Sequence, residues 1–144
     1  MHKLVIAALF IPSLALACPK PEKELISETH EGFGIDVGDA GFTIYEGGAY
    51  KLYSHDPKAQ RSKDVQGCLA DKELADVKAA LAKATWKTTR LAAQCKARST
   101  LHTVWVAGKN TYDAVTCPDA ALDEATQKLF TLVDGLETSY SAKK

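Results

Sequence analysis

The chain has 144 residues, and 18 lysine and arginine residues balance 18 aspartate and glutamate residues, for a formal net charge of +0 at pH 7. This balance argues against a nucleic-acid-binding protein, which needs a concentrated positive face. The length fits a single domain, and no internal repeat is visible in the sequence.

The first 17 residues have the features of an export signal. Lys3 precedes an uncharged run over residues 4–17, which contains Pro12 and ends in an Ala-Leu-Ala tripeptide. As a helix this run would span roughly 21 Å, which is too short for a bilayer core of about 30 Å. A positive start, a short apolar stretch and a small-residue cleavage site predict a signal peptide over residues 1–17 and export from the cytoplasm.

Cleavage after this segment leaves Cys18 at the mature N-terminus, and two fates stay open for it. The stretch Leu14-Ala15-Leu16-Ala17-Cys18 resembles a bacterial lipobox, which implies a lipid on Cys18 and a lipoprotein of the outer membrane or periplasm. Ordinary cleavage would instead give a freely secreted protein. Residues 18–32 open with charges and prolines, and we expect them to form a flexible tether.

Four cysteines, Cys18, Cys68, Cys95 and Cys117, stand at spacings that do not indicate a zinc site. Disulfides are the usual state of cysteines outside the cytoplasm. We expect Cys95 to pair with Cys117, because the segment between them returns the chain as a hairpin. Cys68 then pairs with Cys18 if Cys18 carries no lipid, and otherwise stays a buried thiol.

Residues 33–54 predict a β-meander at the start of a single domain that covers residues 33–140. Apolar residues alternate with polar or small ones, and turn residues occur at positions 38–41 and at Gly47-Gly48. The polar stretch at residues 55–67 is predicted to be a long surface loop.

The second half of the chain predicts two helices and a hairpin. Apolar residues recur every three or four positions over residues 71–84 and again over residues 119–137. Between them, residues 100–117 alternate and turn at Gly108-Lys109-Asn110, which is typical of a β-hairpin. Two amphipathic helices need a sheet face to cover. The expected fold class is therefore α+β, a two-layer sandwich in which an antiparallel sheet of meander plus hairpin is covered by two helices.

Two groups contain the residue types of a catalytic or metal-binding site, but their spacing along the chain does not fit such a site. Ser54-His55-Asp56 contains the residue types of a catalytic triad, but adjacent residues of an extended chain point in alternate directions and cannot form the relay. Glu31, Asp36 and Asp39 lack the spacing of a calcium-binding loop, and we interpret them as turn residues.

The histidines His30, His55 and His102 are scattered along the chain, and we interpret them as surface or partly buried residues. The sequence thus predicts no catalytic residue, no cofactor and no metal ligand, and we expect a protein that is not an enzyme. Membrane attachment is expected only through a lipid on Cys18.

Four aromatic residues are candidates for contact with an unknown protein partner: Tyr45, Tyr53, Trp105 and Tyr112. Most aromatic side chains of a small domain belong to the core. Tyr and Trp also anchor many protein interfaces, so we predict that some of these four form an exposed patch.

The order of several motifs resembles the emfourin family, small proteins that inhibit thermolysin-type metallopeptidases. The resemblance covers about residues 42–136. It is carried by Ile44-Tyr45-Glu46-Gly47-Gly48, by the predicted helix that precedes Trp86, by the hairpin segment Val104-Trp105-Val106-Ala107-Gly108-Lys109 and by the leucine-rich final helix. It implies an α+β domain that inhibits a peptidase, and it assigns no inhibitory residue.

The leading hypothesis from the sequence is an exported domain, secreted or lipid-anchored, that binds another protein and possesses no enzymatic activity. Peptidase inhibition is its more specific form. The alternative is a small ligand-binding or hydrolytic envelope protein whose pocket the sequence does not reveal.

Overall fold

The computed structural model describes residues 18–32, 38–87, 100–116 and 122–142. The predicted signal peptide and the predicted Cys95–Cys117 disulfide lie outside these residues. The elements in chain order are β1 (Glu24–Gly32), β2 (Asp39–Tyr45), β3 (Ala49–Asp56), β4 (Arg61–Cys68), α1 (Asp71–Leu81), β5 (Thr100–Val106), β6 (Lys109–Thr116) and α2 (Glu124–Ser141).

The six strands form one antiparallel sheet in the order β4-β3-β2-β1-β5-β6, and the two helices share its apolar face. This arrangement confirms the predicted α+β fold class. The core between the layers is contributed by alternate residues of the strands and by the inward faces of both helices. Its most deeply buried members include Ile26, Phe42, Ile44, Val77, Val104, Leu129 and Val133.

The prediction of a flexible tether over residues 18–32 is wrong for most of this segment, because β1 begins at Glu24 and only the residues before it lie outside the sheet. The strand is internal to the sheet: Ile26 pairs with Ile44 of β2 on one side and with Val106 of β5 on the other. The prediction was wrong because composition alone treated the charged residues of this segment as solvent-exposed. Backbone pairing on both edges stabilises the strand even though its side chains are polar.

Strand β4 corrects the predicted loop at residues 55–67. Residues 61–68 pair with β3 along their whole length, and only residues 57–60 form the turn between the strands. In that turn the Asp56 Oδ1 atom accepts hydrogen bonds from the backbone N–H groups of Lys58 and Ala59. An edge strand can be polar because its side chains face water while its backbone is still paired on one side.

The hairpin predicted over residues 100–117 is present as β5 and β6, with its turn at Ala107 and Gly108. Both predicted helices are also present, with shifted ends. Helix α2 begins later than expected because the Asp123 side chain accepts a hydrogen bond from the Thr126 backbone N–H and so caps it. Neither α1 nor α2, the helices of the described residues, is long and apolar enough to cross a membrane.

A disulfide joins Cys18 to Cys68, with the two Cα atoms 5.5 Å apart. This is the pairing predicted for a Cys18 without lipid. It fastens the segment that leads into β1 to the end of β4. The same corner is held by a backbone hydrogen bond from Glu46 to Lys23 and by an ion pair between these two side chains.

Candidate functional site

Five polar side chains lie together where strands β1 and β5 pass beneath helix α2. We call this group the acid–histidine cluster; it consists of Glu28 and His30 of β1, His102 of β5, and Asp134 and Glu137 of α2. His30 and His102 are direct partners across the β1–β5 pair. Side chains alternate along a strand, so Glu28 and His30 project from the face that also carries the buried Ile26.

Glu28 is the most deeply buried member of the cluster, with 1% of its side chain exposed. Its Oε2 atom lies 3.2 Å from Nε2 of His102. Its Oε1 atom is buried and has no hydrogen-bond partner among the described residues. A buried polar atom without a partner costs about 1–3 kcal/mol, and more when it is charged. Within the described residues, the bonding capacity of this buried oxygen is therefore not satisfied.

The ring of His102 is held on three sides by other rings. His30 stacks on it at 4.2 Å between ring centroids, Phe130 of α2 packs against it at 4.7 Å, and Tyr112 of β6 approaches it edge-on at 5.8 Å. Only 5% of His102 is exposed. These contacts orient the imidazole so that its Nε2 atom faces the carboxylate of Glu28.

Helix α2 adds two carboxylates to the exposed side of the cluster. Asp134 and Glu137 are three residues apart, a spacing that places both on one side of a helix. Their carboxylate oxygens lie within 4.8 Å of each other and of donor atoms of Glu28 and His30. Asp134 is exposed and Glu137 is partly buried. The cluster thus runs from a buried end on the sheet to an accessible end on the helix.

Burial and mutual repulsion both disfavour negative charge in this cluster. Burial and, to a smaller extent, the charge of Asp134 raise the pKa of Glu28 to about 8, while His30 acts in the opposite direction. Burial also raises the pKa of Glu137, and the charges of Glu28 and Asp134 add to this rise. Burial lowers the pKa of His102 and so favours its neutral form, which can donate a lone pair to a metal ion.

The structure brings together two of the three histidines that the sequence left unconnected. His55 stays apart from the cluster as an exposed residue whose Nδ1 lies 3.0 Å from the Ser62 hydroxyl. Glu28 and His30 are polar although they occupy the helix-facing side of β1, so the apolar alternation that predicts a strand is absent there. The sequence did not reveal the cluster because its other half comes from distant β5 and α2.

The other residues weighed from the sequence do not assemble into a site. Asp56 holds the β3–β4 turn instead of joining a triad with His55, as the hydrogen bonds to its Oδ1 show. Glu31 and Asp39 face each other across β1 and β2. Asp36 lies outside the described residues.

Three of the four candidate partner-binding aromatics share the sheet face that points away from the helices, which we call the far face. On that face Tyr53 of β3 pairs with Gly41 of β2, and Trp105 of β5 pairs with Ser27 of β1. The ammonium group of Lys51 approaches the ring of Tyr45. Among the described residues, Tyr53 is the large apolar residue that is exposed, with 36% of its surface accessible to solvent.

Tyr112 lies on the helix side of the sheet, in contrast to these three. Its ring packs against Phe130 at 5.4 Å and Trp86 at 6.5 Å. Tyr112 is partly buried where it packs against the core, and its role in partner binding stays a prediction.

Comparison with known protein families found no matching family, and comparisons with curated proteins and with solved structures found no match either. The resemblance to the emfourins therefore stays a prediction.

Proposed function

We propose that this protein is an exported domain that binds a divalent first-row transition-metal ion at the acid–histidine cluster. The observation that carries the proposal is the buried Oε1 atom of Glu28, which has no partner among the described residues and lies beside two imidazoles. A metal ion would supply the interaction that this oxygen lacks.

The donor set favours transition metals over calcium and magnesium. Imidazole nitrogen suits Zn²⁺, Co²⁺, Ni²⁺ and Cu²⁺, whereas calcium and magnesium prefer oxygen ligands only. The separation of 3.2 Å between Glu28 Oε2 and His102 Nε2 is close to the roughly 3.4 Å between two ligands of a tetrahedral zinc ion. His30 and His102 together with Glu28 provide the two-nitrogen, one-oxygen set found at many zinc centres.

The charge of the cluster supports the same conclusion. Three carboxyl groups converge in the cluster, and burial raises the pKa of Glu28 and of Glu137. A dication would stabilise the charged form of these carboxylates in place of protons. The aromatic rings of Phe130 and Tyr112 shield the buried end, and such packing around a ligand strengthens metal binding by fixing its orientation.

The disulfide supports the exported location that this proposal includes. Disulfides persist in oxidising compartments and are rare in the cytoplasm. A Cys18 sulfur bonded to Cys68 is unavailable for a thioether-linked lipid, which favours a soluble exported form over a lipid anchor. Intact mass spectrometry of the native protein tests both points. We expect an N-terminus at Cys18 and no added lipid mass; an uncleaved, fully reduced chain would refute export.

Isothermal titration of the oxidised mature protein with Zn²⁺ tests the metal site. We expect one ion per chain, and Ca²⁺ and Mg²⁺ should give no binding heat at the same concentrations. Glu28→Gln keeps the shape of the side chain but removes its charge and one acceptor oxygen, so affinity should fall by roughly 100-fold or more.

The matched control is His55→Gln, which removes an exposed histidine outside the cluster and should leave the affinity unchanged. A Co²⁺ absorption spectrum adds a check on geometry, since a tetrahedral site with nitrogen ligands absorbs strongly in the visible range. Absence of stoichiometric binding, or equal binding by wild type and Glu28→Gln, would exclude this function.

Binding of a protein partner is a second candidate, favoured by the exposure of Tyr53 on the far face, which Tyr45 and Trp105 share. Peptidase inhibition is its specific form. Addition of the mature protein to a thermolysin-type peptidase tests it, and a lack of inhibition at micromolar concentration would remove that form.

A further inference from the structure

The acid–histidine cluster contains two overlapping groups of donors. The first consists of Glu28, His30 and His102, and the second of Glu28, His30, Asp134 and Glu137; within each group all donor atoms lie within 4.8 Å of one another. Glu28 and His30 belong to both. We call the place served by the first group the inner position and that served by the second the rim position.

The two positions differ in burial and in ligand chemistry. The inner position has two imidazoles and one carboxylate, and its ligands Glu28 and His102 are 1% and 5% exposed. The rim position has one imidazole and three carboxylates, and one of these, Asp134, is exposed to solvent. An acidic group alone would not indicate a site. Here the unpartnered oxygen of the buried Glu28 points independently to a ligand.

We propose that the metal ion is captured at the rim position and passes to the inner position, so that Asp134 and Glu137 control how fast the ion exchanges rather than how tightly it is held. This inference rests on the proposed function. It makes the domain a site that accepts and releases metal ions, in contrast to a closed structural site, in which all four ligands are fixed.

The physical basis is a division of tasks among the ligands. Carboxylates at the accessible end attract a hydrated dication through their negative charge, and such steering raises association rates by tenfold or more. Imidazole nitrogens bind transition metals more strongly than carboxylate oxygens do, so the inner position retains the ion. Because Glu28 and His30 serve both positions, the ion can move between them while it remains bound to two ligands.

Stopped-flow kinetics of the oxidised mature protein tests this inference. Zn²⁺ association is followed by the fluorescence of Trp86, whose ring lies 6.0 Å from that of Phe130 and next to the ring cluster around His102. Trp105→Phe makes Trp86 the sole tryptophan, since the chain has two. Dissociation is followed by transfer of the ion to a colorimetric chelator.

In the variant Asp134→Asn/Glu137→Gln we expect association to slow by about tenfold. Dissociation should slow by a similar factor, because the ion leaves through the same rim ligands, so the equilibrium affinity should change by less than about threefold. His102→Gln should show the reverse, a large loss of affinity with little change in association rate. The matched control Glu124→Gln removes one negative charge from the first turn of the same helix, where Glu124 pairs with Lys128. It should leave both rates unchanged.

Two results would overturn the inference while leaving the metal site intact: unchanged rates in Asp134→Asn/Glu137→Gln, or a loss of affinity in that variant as large as in His102→Gln. The second would make the helix carboxylates permanent ligands. Failure of the wild-type protein to bind Zn²⁺ at all would instead remove the proposed function, and with it this inference.

Discussion

Helix α2 covers two regions of the same sheet face, and they differ sharply in chemistry. In one region Leu129 and Val133 pack against apolar residues of the sheet; in the other, Asp134 and Glu137 meet the polar residues Glu28 and His30 of β1. Strand β1 crosses the boundary between them within three residues. Ile26 lies in the apolar region and Glu28 in the polar region, and each is 1% exposed.

The difference between these regions lies in what burial does to stability. Burial of a side chain such as Ile26 stabilises the fold by about 1.5–3 kcal/mol. Burial of a carboxylate such as that of Glu28 destabilises the fold unless the group is protonated or paired. Oε1 of the buried Glu28 has no hydrogen-bond partner among the described residues, so the cluster costs folding free energy. This cost is the reason to assign the cluster a function beyond folding.

The largest expected effect comes from the apolar region. Leu129→Ala removes a side chain that is fully buried, and the free energy of unfolding should fall by about 2–5 kcal/mol at every pH at which the protein is folded. Urea denaturation followed by circular dichroism measures this. The neighbouring exposed Thr131→Ala should change the free energy by less than about 0.5 kcal/mol. A loss below about 1 kcal/mol for Leu129→Ala would mean that α2 is not anchored as described.

The acid–histidine cluster should respond to pH where the apolar region does not. The pKa of Glu28 rises from 4.5 to about 8 on folding, so the folded protein holds this proton more tightly than the unfolded chain does. Protonation of Glu28 therefore stabilises the folded state. This contribution to the free energy of unfolding is complete below about pH 4.5, and it should be lost progressively as the pH rises towards about 8. The expected loss in metal-free protein is a few kcal/mol in the free energy of unfolding.

Urea denaturation in the presence of a chelator, repeated across this pH range, measures the loss. Glu28→Gln should remove most of the pH dependence and make the metal-free protein more stable than wild type above the pKa of Glu28. Leu129→Ala should keep the wild-type pH dependence. Stability that is constant or rises over this window would contradict the burial of Glu28.

The smallest expected effect tests the hairpin that carries His102, at the opposite end of β5. Ala107 and Gly108 turn the hairpin with φ angles of 50° and 75°, and positive φ costs a non-glycine residue roughly 1–2 kcal/mol. Ala107→Gly should therefore stabilise the protein by up to about 1 kcal/mol in urea denaturation and leave Zn²⁺ affinity unchanged. Ala79→Gly, on the exposed side of α1, should destabilise it by about 1 kcal/mol. Equal effects of the two substitutions would refute the turn assignment.

Much of the fold was predictable because its signals are local. The three- and four-residue spacing of Leu74, Val77 and Leu81 predicts α1 by itself, and the β5–β6 hairpin follows from alternation around a turn. Strand β1 was missed for a physical reason: its charged residues resemble a solvated tether, and only pairing on both edges reveals it as an internal strand. The polar edge strand β4 was missed for the same reason.

The sequence by itself predicted the two helices, the β2–β3 and β5–β6 hairpins and the α+β class, and it left Cys18 open between a lipid and a disulfide with Cys68. Tertiary structure alone decided that Glu28 and His102, 74 residues apart, lie 3.2 Å from each other. Local patterns follow from periodicities of two and 3.6 residues, which any short stretch of sequence displays. A cluster assembled from three elements depends on which strands become neighbours and where a helix crosses them, and no short stretch encodes those choices.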